Sequence, residues 1–261
     1  MKKLFASDYD GTFYKHNRKK GEIAANVEQV GKWQKSGNLF IFATGRSISM
    51  MQMEKRRKLK YDYIVGLNGA VIVDKNHEIL FQKAIKPETA QKIVQLIEAS
   101  QIESYSITDG FKGHFKLPRK FRPSMLLFKL WGLFARTYHL SKEAALELPV
   151  VQIALTTANQ DEAVAFANQI NEQFEGEAFA FANLVHVDIQ APGLSKATGV
   201  SFIAEKYNVH QEAIYGMGDS FNDLPMLEAF HGLTLPEATD PIKIQASAIY
   251  ETVGQALENL R

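Results

Sequence analysis

The chain has 261 residues, of which 46% are hydrophobic and 23% charged, values typical of a soluble globular protein with one or two domains. Its formal net charge of +1 provides no general attraction to nucleic acid or to an anionic membrane, so neither is expected as a partner. The chain contains no cysteine, which excludes disulfides, thiolate metal sites and a cysteine nucleophile and suits a reducing compartment.

No segment predicts export or membrane insertion. Behind Lys2 and Lys3, the apolar run of residues 4–6 is too short for the hydrophobic part of a signal peptide. The longest apolar stretch, residues 125–135, is interrupted by Lys129 and is too short to span a bilayer. We therefore expect a soluble, cytoplasmic protein.

Short apolar runs alternate with helical patterns at both ends of the chain. The runs KLFA, NLFIFA, YDYIVG and EAIYGMG predict strands, and each ends near Gly, Asp, Thr or Asn. Helical spacing predicts helices over residues 22–36 and 47–58. This alternation predicts an α/β fold with a doubly wound, Rossmann-like parallel sheet. In such sheets ligands bind beyond the carboxyl ends of the strands, where these polar residues would gather.

The pattern changes in the middle of the chain, which predicts an inserted α+β domain. The predicted elements are a hairpin over residues 71–73 and 79–81, helices over 87–99 and 161–174, and strands at 105–108, 150–156 and 178–182. The parallel type of pattern resumes at VHVDIQ. We therefore predict a core domain of residues 1–83 and 185–261 and a cap domain of residues 84–184.

Two aspartates, Asp8 and Asp10, follow the first predicted strand and stand directly before Gly11. If the extended backbone continues past Ala6, both carboxylates lie on the same side of the chain. One interpretation is a turn in which Asp caps the backbone and Gly supplies the bend. The other is a divalent cation that offsets the repulsion between the two acids. The pair alone leaves both interpretations open.

Two further segments carry groups that suit an anion. In FATGRS, the hydroxyl of Thr44 and a free backbone N–H at the strand end can donate to an anionic oxygen, although Thr-Gly is also common in turns. In GLSKATGV, Ser195 is predicted to cap a helix whose first turn contains Lys196. The helix dipole disfavours a cation there, so the lysine indicates an anion, against the alternative of a solvated surface lysine.

Acidic and amide side chains are concentrated in GMGDSFNDLPML. An apolar strand runs into Gly218, and four polar residues follow: Asp219, Ser220, Asn222 and Asp223. Mg²⁺ prefers oxygen ligands from one or two carboxylates, water and phosphate, which such a loop can supply. A capping box with spare acids is the alternative. Two acidic strand ends in one predicted sheet favour the metal site.

Taken in order, DYDGT (8–12), FATGRS (42–47), LNGA (67–70), GLSKATGV (193–200) and GMGDSFNDLPML (216–227) resemble the haloacid dehalogenase superfamily, and more narrowly its Cof-type small-molecule phosphatases. The predicted insert lies where these enzymes carry a large α/β cap. The resemblance implies a Mg²⁺-dependent phosphatase, and its substrate would be a small phosphorylated metabolite such as a sugar phosphate, a nucleotide or a phosphorylated cofactor.

The resemblance also implies a role for each matching residue. Asp8 is the nucleophile that forms an aspartyl-phosphate, and Asp10 protonates the leaving alcohol and then activates water. The residues implied to bind the phosphoryl group are Thr44, Gly45, Lys196 and Asn222. The implied metal ligands are the Asp8 carboxylate, the Asp10 backbone carbonyl and Asp219. The implied supporting residues are Asp223, Gly11, Asn68 and Ser220. Positive charge from Mg²⁺ and Lys196 would let one anion attack another.

The sequence departs from the family pattern at two places. Tyr9 stands where the relatives usually have leucine, and we expect its side chain to pack away from the metal without altering the chemistry. The loop at residues 235–238, Leu-Pro-Glu-Ala, replaces a Met-Gly-Asn-Ala loop. This replacement puts in doubt any amide contact from the loop.

A basic segment, residues 111–140, lies within the predicted cap and has seven Lys or Arg, two His and no Asp or Glu. It is interpreted as a solvated basic face, or as a lid that recruits an anionic substrate through Arg119, Lys120 and Arg122. A weak contact with nucleic acid or an anionic membrane is the third interpretation.

Two alternative functions stand beside the phosphatase. A phosphomutase on the same scaffold would return the phosphoryl group to its product, and a non-catalytic module would only bind a phosphorylated ligand. Every position that the chemistry requires is intact, which favours an enzyme over a binding module.

Overall fold

The computed structural model describes residues 1–15, 21–117 and 137–261, which form two compact units. The first unit comprises Met1–Phe81 and Leu194–Arg261, and the second comprises Gln82–Gly193. The predicted lid residues Arg119, Lys120 and Arg122 lie outside the described residues, so their role stays a prediction. Within the described ranges, no helix has both the length and the apolar character needed to cross a membrane.

The strands and helices of the described residues alternate along the chain. The strands are β1 (Leu4–Ser7), β2 (Leu39–Ala43), β3 (Tyr63–Gly66), β4 (Val71–Asp74), β5 (Ile79–Gln82), β6 (Ser104–Thr108), β7 (Gly113–Lys116), β8 (Gln152–Thr156), β9 (Phe179–Asn183), β10 (His186–Gln190), β11 (Ile214–Met217), β12 (His231–Thr234) and β13 (Ala248–Ile249). The α-helices are α1 (Glu22–Lys35), α2 (Ile48–Met53), α3 (Pro87–Ala99), α4 (Lys142–Leu146), α5 (Gln160–Gln173), α6 (Lys196–Lys206), α7 (Leu224–Ala229), α8 (Asp240–Gln245) and α9 (Val253–Leu260). Short 3₁₀ turns add Glu54–Arg57, Leu67–Gly69, Gln211–Ala213 and Phe221–Asp223.

The first unit contains an eight-stranded sheet in the order β13-β12-β11-β1-β2-β3-β4-β5. The strands from β13 to β3 pair in parallel, and β4 runs antiparallel to β3. Helices connect the parallel strands, so the predicted doubly wound α/β sheet is confirmed. A central parallel strand is covered on both faces, which explains why β2 and, apart from Ser7, β1 are apolar and why both strands are buried.

The two faces of β1 pack against different parts of the unit. On one face, the ring of Phe5 stacks on Phe40 and meets the edge of Trp33 from α1. On the other face, Leu4 belongs to a buried cluster that includes Val200 of α6. This packing on both sides holds the end of β1 in a fixed position.

The register of the parallel strands brings three strand ends to one edge. Ser7 at the end of β1 lies beside Met217 at the end of β11 and beside Phe42 in β2. The segments that follow these strands, beginning at Asp8, Gly218 and Thr44, therefore meet at the same edge. The site predicted from sequence lies there.

The second unit has its own antiparallel sheet, in the order β7-β6-β8-β10-β9. Its apolar face joins a buried cluster with helices α3 and α5, in which Ile97 and Ile170 meet Ile153 and Ile189 of the sheet. An α+β insert is therefore confirmed as part of the fold.

The structure differs from the sequence prediction at VHVDIQ. This segment forms β10, which pairs antiparallel with β8 and β9 in the second unit, so the predicted parallel strand there is wrong. Val187 and Ile189 are buried and alternate with Asp188, the period of a strand covered on one face. The two units consequently meet in sequence after Gly193, later than the predicted boundary at residue 184.

Candidate active site

Three carboxylates form a cluster at the shared edge of β1 and β11. Asp8 follows β1, while Asp219 and Asp223 belong to the loop and 3₁₀ turn that follow β11. One oxygen from each carboxylate lies within 4.8 Å of the other two. Asp8 is 4% exposed and Asp223 is fully buried, so water does little to weaken their mutual repulsion.

Lys196 neutralises part of this charge. It is the first residue of α6, and Ser195 caps that helix in a capping box with Thr198, as the sequence predicts. Its Nζ donates to Asp8 Oδ1 at 2.6 Å and to Asp223 Oδ1 at 2.7 Å. The side chain is 1% exposed, so the alternative of a solvated surface lysine is wrong.

Burial and charge shift the pKa values of this cluster. Burial raises the pKa of Asp8 well above its ordinary value, against the opposing effect of Lys196. Burial also raises the pKa of Asp219. Burial by itself would lower the pKa of Lys196, but Asp223 and Asp8 together raise it, so the lysine stays charged. One ammonium thus faces three acids, an arrangement that a divalent cation would stabilise.

The hydrogen bonds identify which acids suit a metal. Asp223 Oδ1 accepts from Lys196, and its Oδ2 accepts from the backbone N–H of Asp219 at 3.1 Å and from the N–H and Oγ of Ser220 at 3.0 Å each. Both oxygens of Asp223 are therefore engaged in holding the loop. Asp219 Oδ1 accepts from Thr12 Oγ1, which leaves Asp219 Oδ2 and the second oxygen of Asp8 as the better ligands for a hard cation. The donor set fits such a cation.

The loop after β11 also forms the capping box that the sequence analysis gave as the alternative to a metal site. Ser220 and Asp223 form a capping box on the 3₁₀ turn Phe221–Asp223. The same Asp223 contacts Lys196, so capping and charge neutralisation are combined in one side chain.

Glycine is required at position 11, where the segment that follows β1 passes Asp219 in the loop that follows β11. Its φ of 84° lies in the left-handed region, which favours glycine. A Cβ at this position would lie 2.4 Å from Asp219 Oδ2, closer than any real contact allows. Glycine is therefore imposed both by its own backbone and by the carboxylate that follows β11.

Thr44 reaches the edge of the sheet with its backbone donor already used. Its backbone N–H donates to the carbonyl of Val65 at 2.9 Å, so it is not the free N–H predicted at this strand end. The register of β2 against β3 explains this, because the ladder continues one residue past the strand. The hydroxyl of Thr44 accepts from the N–H of Arg46 at 3.1 Å, and its own proton remains able to donate.

Two asparagines converge on Gly45. Asn222 Nδ2 donates to Asn68 Oδ1 at 3.2 Å, and a Cβ on Gly45 would lie within 3.7 Å of both amide groups. Asn68 is 3% exposed and adopts the left-handed conformation, with φ 50° and ψ 36°. Its Nδ2 has no hydrogen-bond partner among the described residues. A buried donor without an acceptor is costly, and it indicates an anionic ligand at this place.

Asp10 does not join the acidic cluster. The chain leaves the strand direction after Ser7 and turns, with the N–H of Phe13 bonded to Asp8 O and that of Tyr14 bonded to Tyr9 O. The extended backbone on which the same-side expectation depends therefore ends at Ser7, and Asp10 lies outside the acidic cluster. Asp10 is exposed, and both of its carboxylate oxygens accept from Arg46 at 2.6 Å.

Sequence reasoning missed Arg46 and Glu54, which form an ion pair at 2.8 Å beside Asp10. A signal for Arg46 was available, since a cation directly after Thr44-Gly45 lies at the same edge as two acidic segments.

The structure also describes Tyr9 and the loop at residues 235–238, the two places where the sequence departs from the family pattern. Tyr9 is fully buried among aromatic rings, and Glu237 pairs with Lys15 at 2.7 Å.

Comparisons with known proteins agree with this geometry. A sequence profile of the haloacid dehalogenase-like hydrolases matches residues 5–255. The chain is 25% identical to the stress response protein YhaX of Bacillus subtilis, over 94% of this chain and 86% of that protein. It is 22% identical to the 5-amino-6-(5-phospho-D-ribitylamino)uracil phosphatase YcsE of the same organism, over 96% of this chain and 90% of that protein.

A solved haloacid dehalogenase-like hydrolase from Bacteroides thetaiotaomicron has the same fold, with a TM-score of 0.81 and 18% identity over 100% of both chains. The profile covers almost the whole chain, including every segment that forms the acidic cluster. The chain therefore belongs to the haloacid dehalogenase-like hydrolases, Cof type, and is a phosphoric monoester hydrolase.

Proposed function

We propose that this protein is a Mg²⁺-dependent phosphatase that hydrolyses a small phosphorylated metabolite through an aspartyl-phosphate on Asp8. The observation that carries the proposal is the buried ammonium of Lys196 between Asp8 and Asp223, beside Asp219. A nucleophilic carboxylate and a cation in contact, next to an acidic cluster, match the needs of phosphoryl transfer.

In the proposed reaction, a carboxylate oxygen of Asp8 forms a bond to phosphorus while the bond from phosphorus to the leaving oxygen breaks. Asp10 gives its proton to that leaving oxygen, and the alcohol departs. Asp10 then takes a proton from water as the water oxygen attacks the phosphorus of the aspartyl-phosphate. Phosphate leaves and the carboxylate of Asp8 is restored, so the net reaction consumes one water for each ester.

The remaining residues bind and orient the phosphoryl group. Lys196 supplies positive charge, and the hydroxyl of Thr44 and the amides of Asn68 and Asn222 supply donors. Mg²⁺, when bound by Asp8, Asp219 and the carbonyl of Asp10, would neutralise charge on the phosphoryl oxygens. Preorganised charge of this kind is often the largest contribution to catalysis.

The substrate is proposed at the level of its class. The relative YcsE is named for a phosphorylated ribitylamino-uracil, which supports a small metabolite that carries one phosphate ester. A sugar phosphate, a nucleotide and a phosphorylated cofactor all fit this class. The absence of cysteine supports a cytoplasmic location, which stays a prediction.

The test is an assay with para-nitrophenyl phosphate and Mg²⁺. We expect turnover that EDTA removes and added Mg²⁺ restores, and that Asp8→Asn abolishes while Asp161→Asn, a surface change of the same kind, retains it. Full activity of Asp8→Asn would exclude the covalent route. Hydrolysis is separated from mutase chemistry by a reaction in heavy-oxygen water, where only hydrolysis places the label in the released phosphate.

A further inference from the structure

Asp10 is held by a single guanidinium through both of its oxygens. Arg46 Nε donates to Asp10 Oδ2 and Arg46 Nη2 donates to Asp10 Oδ1, each at 2.6 Å. Two parallel hydrogen bonds of this type fix the plane and the direction of a carboxylate, which one ammonium cannot do. The Asp10 side chain is about half exposed, so little other packing restrains it.

Arg46 is in turn held from two further sides. Its Nη1 donates to Glu54 Oε1 at 2.8 Å, and its guanidinium lies over the ring of Tyr9, 4.8 Å from the ring centre. Glu54 also pairs with Arg57, which lies over the ring of Tyr14. The Arg46 side chain is only 19% exposed, and its orientation is set by contacts on three sides.

The ring of Tyr9 provides the surface on which Arg46 rests. The ring is fully buried and contacts Phe13, Tyr14 and Phe42. Its hydroxyl lies near Glu54 but makes no hydrogen bond of ordinary geometry within the described residues. The contribution of Tyr9 to Arg46 therefore comes from the aromatic face, which attracts a guanidinium and which a leucine does not have.

We propose that Arg46 is a positioning residue for Asp10, and that Tyr9 and Glu54 hold Arg46 in the orientation this requires. The inference rests on the proposed function, in which Asp10 protonates the leaving oxygen. During turnover, one oxygen of Asp10 leaves Arg46 to reach the leaving group while the other oxygen stays bound. Arg46 thus limits the directions that an otherwise exposed carboxyl can take.

This role has a signature that separates it from structural support. A poor leaving group, such as the alcohol of a simple alkyl phosphate, departs only when it is protonated, so its release depends on the placement of Asp10. The para-nitrophenolate ion leaves without a proton, and its release does not depend on Asp10. Displacing Asp10 should therefore slow formation of the aspartyl-phosphate from an alkyl ester much more than from a para-nitrophenyl ester.

The experiment compares kcat/KM for these two esters in matched variants, because kcat/KM includes only the steps up to formation of the aspartyl-phosphate and leaves out its hydrolysis, in which Asp10 serves both esters alike. Arg46→Lys keeps the charge but loses the paired bonds and the stacking, and we expect kcat/KM to fall about tenfold or more for the alkyl ester and under about threefold for the aryl ester. Glu54→Gln and Tyr9→Leu should show the same selective loss to a smaller degree. Tyr9→Phe keeps the ring, so its ratio of the alkyl-ester rate to the aryl-ester rate should equal that of the wild type, whereas Tyr9→Leu should lower this ratio.

Lys32→Ala, which breaks the exposed pair of Lys32 with Glu28 on α1, is the control for the loss of a surface ion pair and should change neither rate. Thermal unfolding of each variant checks that it is folded, and the milder Arg46→Lys and Glu54→Gln changes still test the inference if Tyr9→Leu does not fold. Equal losses on both esters, or no loss in Arg46→Lys, overturn the inference while hydrolysis stands. A wild-type chain that hydrolyses neither ester overturns the proposed function and this inference with it.

Discussion

Lys196 is a charged side chain whose surroundings, apart from the nearby carboxylates, destabilise its charge. It is buried at the start of α6, close to the positive end of the helix dipole, and two carboxylates compensate for both effects. Removing the lysine would leave Asp8 and Asp223 buried beside each other with no counter-ion. The stability of this part of the molecule therefore depends on the same side chain as the proposed chemistry.

For Lys196→Met we expect the free energy of unfolding to fall by about 3–5 kcal/mol, the usual result of breaking a buried ion pair, and turnover to be lost. The measurement is urea unfolding beside an activity assay. Lys206→Met changes an exposed lysine in the same helix and is the matched control, with an expected effect within about 0.5 kcal/mol. Equal unfolding midpoints for the two variants would contradict this prediction.

Among the described strands, β10 carries a half-buried acid, Asp188, for which the described residues provide no counter-ion. Asp188 lies opposite Ala154 of β8 and Phe181 of β9, and burial raises its pKa to about 6 from an ordinary value of 3.8. Because the folded protein holds this proton more tightly than the unfolded chain, the group stabilises the fold below about pH 4. That stabilisation is lost as the pH rises to about 6, and above it the partly buried charge is destabilising.

We therefore expect Asp188→Asn to raise the free energy of unfolding by about 1–3 kcal/mol near pH 7, and the gain to vanish near pH 4. Urea unfolding at the two pH values measures the difference. Glu175→Gln removes an exposed acid from the same unit and controls for the change in net charge. A gain of equal size at both pH values would show that Asp188 does not titrate in this way.

Individual elements show how far the sequence could predict this structure. Local apolar spacing and capping residues, which can be read from the sequence, predict the parallel strands, helix α3 and the cap of α6. The direction of Asp10 could not be predicted, because it depends on a turn and on Arg46, which is distant in sequence. The partner of the Thr44 N–H could not be predicted for a similar reason, since its contact with β3 depends on register.

At the scale of the whole chain, the two units differ in the number of chain segments that form them. The second unit is one uninterrupted segment with its own buried cluster. The first unit is assembled from both ends of the chain, with Leu4 of β1 paired to Ile214 of β11. Such distant pairing requires the chain to close a long loop before the sheet is complete.

We accordingly expect a fragment of residues 82–193 to fold alone and to unfold cooperatively, and a fragment of residues 1–81 to remain unfolded, because β1 would lack β11 on one side. Circular dichroism during urea unfolding tests both fragments. Mixing residues 1–81 with residues 194–261 is the control, and we expect recovery of the parallel sheet in the mixture. A stable fold of residues 1–81 alone would contradict the prediction.

The contact of Gly11 with Asp219 has a consequence for how such sequences can vary. The two residues are far apart in the chain, yet a side chain at position 11 would occupy the place of the Asp219 carboxylate. A larger residue at position 11 therefore requires the Asp219 carboxylate to move away or a smaller residue to replace it. Position 219 can change while glycine stays at position 11, but a homologue without this glycine should have a displaced or missing acid at position 219.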